Sequence, residues 1–457
     1  MKANAINPSV EQSDTSTLHE VHISTPSRLC LFGEHLDYLD LEVIACAINL
    51  RFSATIRWQD RLPDVGNTPH RIDIRIRDSR IDTLGEKNTS LAYEHETIDL
   101  DQPIVYRNKR DYLRSATAVL LRQGVRVPDC SIVMDSDIPI GKGMCSSSTM
   151  IVVYIKALLE AARHNARNDP DTIAHWAYLA EVDEFGEPGG MMDHYTSAIG
   201  GLLNLDFAGG RTAAKRIDAH LTGCFILFDS LEQKNTTVVL AGAKTPALRA
   251  MDAVRKDIRT IVRENAAAAV PSTAAAAAVP SSAAAVAADS SAAAAAVPSL
   301  VLTDATTDSL STAAQNLSDV LMPDRFDFEG AALDAQAETV LRSDCSSYSI
   351  LLKAKELLTA GSIDNRQFGR LITLHHNNLR DGLGISTPRI EQILDIAIAN
   401  GAHGGKINGS GGGGCCFVYA EEQDAGRILD AVRTAGYPGQ VLWPDTGVRV
   451  EEEKVKV

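Results

Sequence analysis

Apolar and polar positions change their spacing several times along this chain, and each change marks an element. Arg71-Ile-Asp-Ile-Arg-Ile-Arg77 alternates with period two, the signature of a strand with one buried face. Residues 21–24 and 28–32 cluster like strands, and 42–55 is rich in Val, Ile and Ala, so the first third is predicted to be β-rich. Residues 110–124 and 149–164 carry helical spacing around a strand at 130–134. A further helix is predicted over 172–185, then a glycine loop and a strand at 201–207. Beyond a change of composition, helices are predicted at 329–360, 366–380 and 387–400, a strand at 415–420, a helix near 421–435 and a short strand at Val441. Strands gathered toward both ends with helices between them make an α+β chain.

The change of composition covers 265–300, where Ala, Val, Pro and Ser recur in loose repeats such as Ala266-Ala-Ala-Ala-Val-Pro-Ser. Alanine favours helix, but proline cuts each repeat, and small side chains bury too little apolar surface to offset chain entropy. The segment is expected to be a flexible low-complexity insertion outside the fold. Residues 1–18 are expected to form a disordered arm, too polar over their first seventeen positions for a signal peptide.

At 457 residues with 45% hydrophobic content, the chain has room for two or three domains and a sizeable core. A formal net charge of -15 disfavours a surface built to neutralise nucleic-acid backbones or anionic lipid, so neither is expected as a partner. No apolar run approaches the roughly 18 residues that span a bilayer. The eight cysteines are scattered, with no CxxC pair and no zinc spacing, and are read as reduced thiols of a cytoplasmic protein.

Three segments carry candidate chemistry. Pro139-Ile-Gly-Lys-Gly-Met-Cys-Ser-Ser-Ser-Thr149 is a glycine turn with hydroxyls that runs into a helical stretch. Its reading is either a phosphate cradle of free amides at a helix start or a plain helix cap. Gly409-Ser-Gly-Gly-Gly-Gly414 satisfies GxGxxG in form, but it enters a strand-like segment where a dinucleotide fingerprint enters a helix. It is therefore a glycine loop between strands, either a hinge or a backbone contact with a ligand. Arg28-Leu-Cys-Leu-Phe-Gly-Glu-His-Leu-Asp-Tyr38 starts as a buried strand and ends in acceptors and donors that suit a polyhydroxylated ligand. Glu181 sits on a predicted helix, and a glycine loop leads on to a second carboxylate, Asp193, among apolar and small residues.

In this order, Pro26–Tyr38, Pro139–Thr149 and Lys406–Gly414 resemble the three motifs of the GHMP kinase superfamily, which includes galactokinase, homoserine kinase and mevalonate kinase. Gly33-Glu-His-Leu-Asp-Tyr38 is similar to the galactokinase form, because mevalonate kinases carry apolar residues after Glu-His; Glu181 and Asp193, with the Met-Asp pair, also look galactokinase-like. The resemblance implies a two-lobed fold. An α/β lobe like ribosomal protein S5, binding sugar and ATP, would span 19–210, and a ferredoxin-like α+β lobe with the insertion would span 211–457. It implies an ATP-dependent kinase for a monosaccharide, acting at the anomeric hydroxyl, with ATP and Mg²⁺ as cofactors and a monomeric state. Residue by residue, Asp193 falls on the catalytic carboxylate and Arg28 on the stabilising cation. Glu34, His35, Asp37 and Gly190 fall on sugar contacts, and Ser147 and Glu181 on the metal ligands. Pro139, Gly141, Gly143, Cys145, Ser146, Ser147 and Ser148 fall on the phosphate loop, with Gly409, Gly411 and Gly413 closing over the nucleotide.

The chain departs from the galactokinase pattern in places. A sugar-contacting tyrosine would align near Thr245, Asp40-Leu41 replaces a glycine pair, and Cys145 and Ser148 replace the usual small residues. The alternatives are a kinase for arabinose, fucose, a uronic acid, an N-acetylhexosamine or mevalonate, and a non-catalytic sugar and ATP sensor.

Overall fold

The computed structural model describes residues 17–39, 41–60, 70–77, 93–139, 141–187, 189–207, 212–233, 245–247 and 333–456. The insertion at 265–300 and the arm before Thr17 lie outside the described residues. The chain divides into two compact units. One comprises residues 1–31, 43–217 and 442–457, and the other 32–42 and 218–441.

The first unit is built on a mixed sheet. Strands β1 (Leu18–Phe32), β2 (Val43–Gln59), β3 (Arg71–Arg77), β4 (Tyr93–Asp99), β5 (Cys130–Ser136) and β12 (Arg449–Lys456) run in the order β12-β1-β2-β5-β3-β4; β6 (Leu202–Asp206) adds to β2 and β7 (Ala213–Arg216) to β6. β1 is one continuous strand where the sequence suggested two clusters, because its residues 18–24 pair with β12 through a register shift after His22. Leu18, assigned to the arm by sequence, already pairs with Lys456. β12 was not expected from the sequence: its side chains are nearly all exposed, so no apolar alternation announces it. Helices α1 (Tyr112–Arg122), α2 (Ser146–Ala161), α3 (Pro170–Tyr178) and α4 (Met192–Ile199) complete the unit. α2 is apolar around most of its surface and buried along Ile151–Leu159, as befits a central helix. α3 starts where Asp169 accepts from Thr172 N (3.2 Å) and Pro170 takes the first turn. Its predicted continuation passes into a π turn at Leu179–Asp183.

The second unit holds a four-stranded sheet, β11 (Gly439–Leu442), β8 (Cys224–Asp229), β10 (Cys415–Ala420) and β9 (Gly404–Ile407), in that order; β10 is antiparallel to both β8 and β9. Its helices are α5 (Ala335–Thr359), α6 (Asn365–Asn377), α7 (Pro388–Ala399) and α8 (Ala425–Thr434). Asp334, Asp364 and Thr387 cap the first three. The core gathers Ile226, Phe228, Ile390, Ile393, Val418 and Ile428 between one sheet face and α7 and α8. All eight cysteines are buried. Among the described residues no helix is long and apolar enough to cross a membrane.

Candidate active site

In the first unit, the chain enters α2 through a turn that only glycine adopts without strain. Gly141 and Gly143 have φ of +69° and +82°. Cys145, at the helix start, is itself left-handed at φ +48° and provides no side-chain cap. The hydroxyl of Ser27 donates to Met144 O at 2.8 Å and pins this turn to β1. The first amides of α2, from Ser146 onward, thus begin the helix without a side-chain acceptor of the kind that starts α3. Pro139 precedes the turn.

Arg28, on β1 and 3% exposed, sends Nε to Asp193 Oδ1 at 2.7 Å and a terminal nitrogen to Gly143 O at 3.0 Å. One guanidinium therefore joins the glycine turn to the carboxylate. Burial alone would lower the Arg28 pKa, but the charges of Asp193 and its hydrogen bond raise it above the ordinary value. Burial raises the Cys145 thiol despite the neighbouring Arg28. Asp193 lies in the first turn of α4, where the sequence suggested only a loop; the helix is eight residues long and follows a glycine stretch, which hid its period. Gly190 stands just before that helix.

Glu181 comes from the π turn and is buried at 7% exposure. Ser148 Oγ donates to its Oε2 at 2.6 Å, and His194 Nε2 meets the same oxygen at 2.7 Å. Nothing in the sequence singles out His194 beyond its place directly after Asp193. The hydroxyl that meets Glu181 belongs to Ser148, while Ser147 occupies the preceding position of the same helical turn, half-buried. Among the described residues no group of three His, Cys, Asp or Glu side chains gathers to hold a metal. A carboxylate and serine hydroxyls are hard oxygen donors of the kind Mg²⁺ takes when nucleotide phosphates supply the rest, so the residues fit that ion.

In the second unit, Glu34 is buried at 4% exposure, and its two oxygens are taken by Lys406 Nζ and the amide of Gly409. Lys406, fully buried, also lies over the Phe417 ring at 5.5 Å. The sequence grouped Lys406 with the glycine motif but gave it no role; nothing in a single lysine signals an acidic partner 372 positions away. His35 has φ +67°, and its Nδ1 lies 3.4 Å from Tyr38 Oη. Asp37 turns its Oδ1 onto the amide of Tyr38 at 3.0 Å. Gly33 N donates to His375 Nε2 at 3.1 Å. The glycine run then folds on itself. Gly409, Gly411, Gly412, Gly413 and Gly414 all have positive φ, and a Cβ on Gly411 would lie 2.5 Å from Ile385 Cβ. Gly412 N donates to Ile385 O at 2.7 Å. This run connects β9 to β10, as expected of a loop flanked by strands.

Residues 111–201 match the GHMP kinases N terminal domain, 354–438 the GHMP kinases C terminal domain, and 14–57 the galactokinase galactose-binding signature. The chain belongs to the GHMP kinase superfamily. It is a galactokinase-like member, a phosphotransferase with an alcohol group as acceptor. A galactokinase of Mycobacterium tuberculosis is 25% identical over 427 residues, 91% of this chain and 94% of that protein. A mevalonate kinase of Thermococcus onnurineus is 38% identical over 108 residues, which are 22% of this chain and only 31% of that protein. The solved Lactococcus lactis galactokinase complexed with galactose shares the fold at TM-score 0.65 and 15% identity, covering 94% of this chain and 95% of its own. The two-lobed architecture expected of a GHMP kinase is present, with a mixed α/β lobe and an α+β lobe.

Proposed function

We propose that this GHMP kinase transfers the γ-phosphoryl group of ATP to the anomeric hydroxyl of a monosaccharide, D-galactose first among them. The observation that carries the reading is the galactose-binding signature over 14–57, whose Glu34-His35-Leu36-Asp37-Tyr38 supplies clustered acceptors and donors for sugar hydroxyls. Full-length similarity to galactokinases supports it further.

Phosphoryl transfer passes through a loose transition state, so positioning and charge neutralisation carry most of the catalysis. In this reading Asp193 orients the attacking hydroxyl and accepts its proton, held by Arg28 Nε at 2.7 Å. Arg28, kept cationic, balances charge on the transferring group. The amides from Gly141 to Ser148 receive the phosphates at the start of α2, and Gly409, Gly411 and Gly413 line the nucleotide. Glu181, with Ser147 or Ser148, would hold Mg²⁺, which neutralises phosphate charge when bound. His194 fixes the orientation of Glu181 through its 2.7 Å contact. His35, Asp37 and Gly190 contact the sugar. Glu34 already spends both oxygens on Lys406 and Gly409, so its contribution is to hold motif one and the glycine run in register.

A second reading, a mevalonate kinase, is favoured by the 38% identical segment and by a mevalonate kinase of Thermococcus sibiricus that is 21% identical over 435 residues, 94% of this chain. ADP release, measured with ATP and Mg²⁺ across a panel of free sugars and mevalonate, separates the two. Turnover is expected with galactose or a close epimer; turnover with mevalonate alone would replace the sugar assignment, and no turnover with any acceptor would favour a sensor.

A further inference from the structure

The helices that present Ser148, Glu181 and Asp193 enclose a different cavity at their other ends. α2 carries Ser147 and Ser148 in its first turn and reaches this cavity with Lys156, about 13 Å further along at ~1.5 Å per residue. α4 carries Asp193 at its start and lines the cavity with Ala198 and Ile199 at its end. α3 lines it with Pro170 and Ile173, whereas Glu181 follows the opposite end of that helix. The cavity is thus distinct from the candidate active site. Its volume is about 330 Å³.

Its charge is opposite to that of the protein. Among the described residues, Lys156, Arg167, Arg216 and Arg449 line it and no carboxylate does, in a chain of net charge -15. The nearby acids do not balance these cations. Glu160 serves both Lys156 (2.5 Å) and Arg167 (3.6 Å), and Asp445 and Glu451 are shared between Arg449 and Arg51. Arg216 gives its guanidinium to the Ile199 carbonyl at 2.6 Å. Among the described residues, these four cations and Arg51 have three carboxylates as ion-pair partners. Asp169, at the start of α3, is engaged by the amide and hydroxyl of Thr172.

The walls are also set in advance. Lys156 Nζ is fixed by Glu160 and by Arg167 O at 2.6 Å, and Arg51 holds the strand-side wall through Thr446 O (3.1 Å) and Gly447 O (2.9 Å). Fixed cations around a concave space favour a dianion with several acceptor oxygens. The volume stands near the lower end of small-molecule sites, about 300–1,000 Å³, which suits a compact ligand.

We propose that this cavity is a second anion site that takes a phosphate dianion, carried either by a small sugar monophosphate or by inorganic phosphate. The assignment is independent of which acceptor the kinase uses.

Isothermal titration of the full-length protein with inorganic phosphate and, separately, with glucose 6-phosphate tests it, on wild type and on the Arg216→Ala/Arg449→Ala variant. Both replaced side chains are substantially exposed, so the variant is expected to fold, and Arg216→Gln alone serves if it does not. Wild type is expected to bind one equivalent at this site, weakened about tenfold or more in the variant, while ADP release with the preferred acceptor stays unchanged. Tighter binding of glucose 6-phosphate than of phosphate identifies the monoester as the ligand; equal binding identifies the free ion. Equal affinity in wild type and variant would place the anion elsewhere, in the α2 turn for instance, and would overturn the proposal, as would no binding of either probe.

Discussion

Arg28 and Asp193, 165 positions apart, meet at 2.7 Å between Nε and Oδ1, with the cation buried and the carboxylate about a quarter exposed. Burial on one side only means that the arginine is committed to the site while the acid still faces whatever approaches. The same guanidinium reaches Gly143 O, so it holds carboxylate and glycine turn at a set separation.

Asp193→Asn is expected to lower kcat by roughly 10²–10⁴-fold with little change in KM, because the amide keeps the size of the group and loses its basicity. Steady-state ADP release on pure, folded protein checks this. Turnover like that of wild type would remove Asp193 from the reaction.

The Glu34–Lys406 pair is buried on both sides. Lys406→Met strands a carboxylate in the interior and is expected to cost about 3–5 kcal/mol. The double variant Glu34→Gln/Lys406→Met is expected to recover part of that loss. Urea denaturation of the two single variants and the double one measures the coupling; strictly additive losses would show that the pair contributes no interaction of its own.

Gly411→Ala meets two obstacles at once, a φ of +84° and a Cβ 2.5 Å from Ile385 Cβ. A loss of at least about 1–2 kcal/mol is expected from the backbone alone. Gly186→Ala, at φ +59° but with open space around the added Cβ, is the comparison and is expected to lose less. Equal melting temperatures for the two variants would contradict the packing argument.

His375 is fully buried and accepts the Gly33 amide through Nε2, so its neutral form is the one the fold uses. Burial, with Lys406, His376 and His35 adding to it, depresses its pKa well below 6.5. The unfolded chain therefore binds this proton first as pH falls, and the stability that His375 contributes above pH 6.5 is lost progressively below it. Denaturation midpoints measured from pH 7.5 to 5 are expected to fall more steeply for wild type than for His375→Gln. Parallel profiles would assign the acid sensitivity to other groups.

Much of the fold was legible because its signals are local. β3 shows its period in seven residues, and α7 announces itself with Thr387 and Pro388 before an apolar helix. Elements whose stability comes from neighbours were not legible. β12 has almost no buried face and forms because β1 offers an edge, and α4 is too short for its period to stand out. The π turn that presents Glu181 read as ordinary helix, since a single inserted residue leaves no mark in composition.

The sequence by itself determined the superfamily, the order of the three motifs and the residue types at each, because glycines at positive φ and charged groups within apolar stretches are constraints visible one residue at a time. Tertiary structure alone decided the partnerships: that Arg28 meets Asp193, that Ser148 and His194 share Glu181, that Lys406 neutralises Glu34, and that four basic side chains from α2, the segment after it, β7 and β12 line one cavity. Such pairings act over a few ångströms of space, and remote segments come that close only when the sheet and helices bring them together.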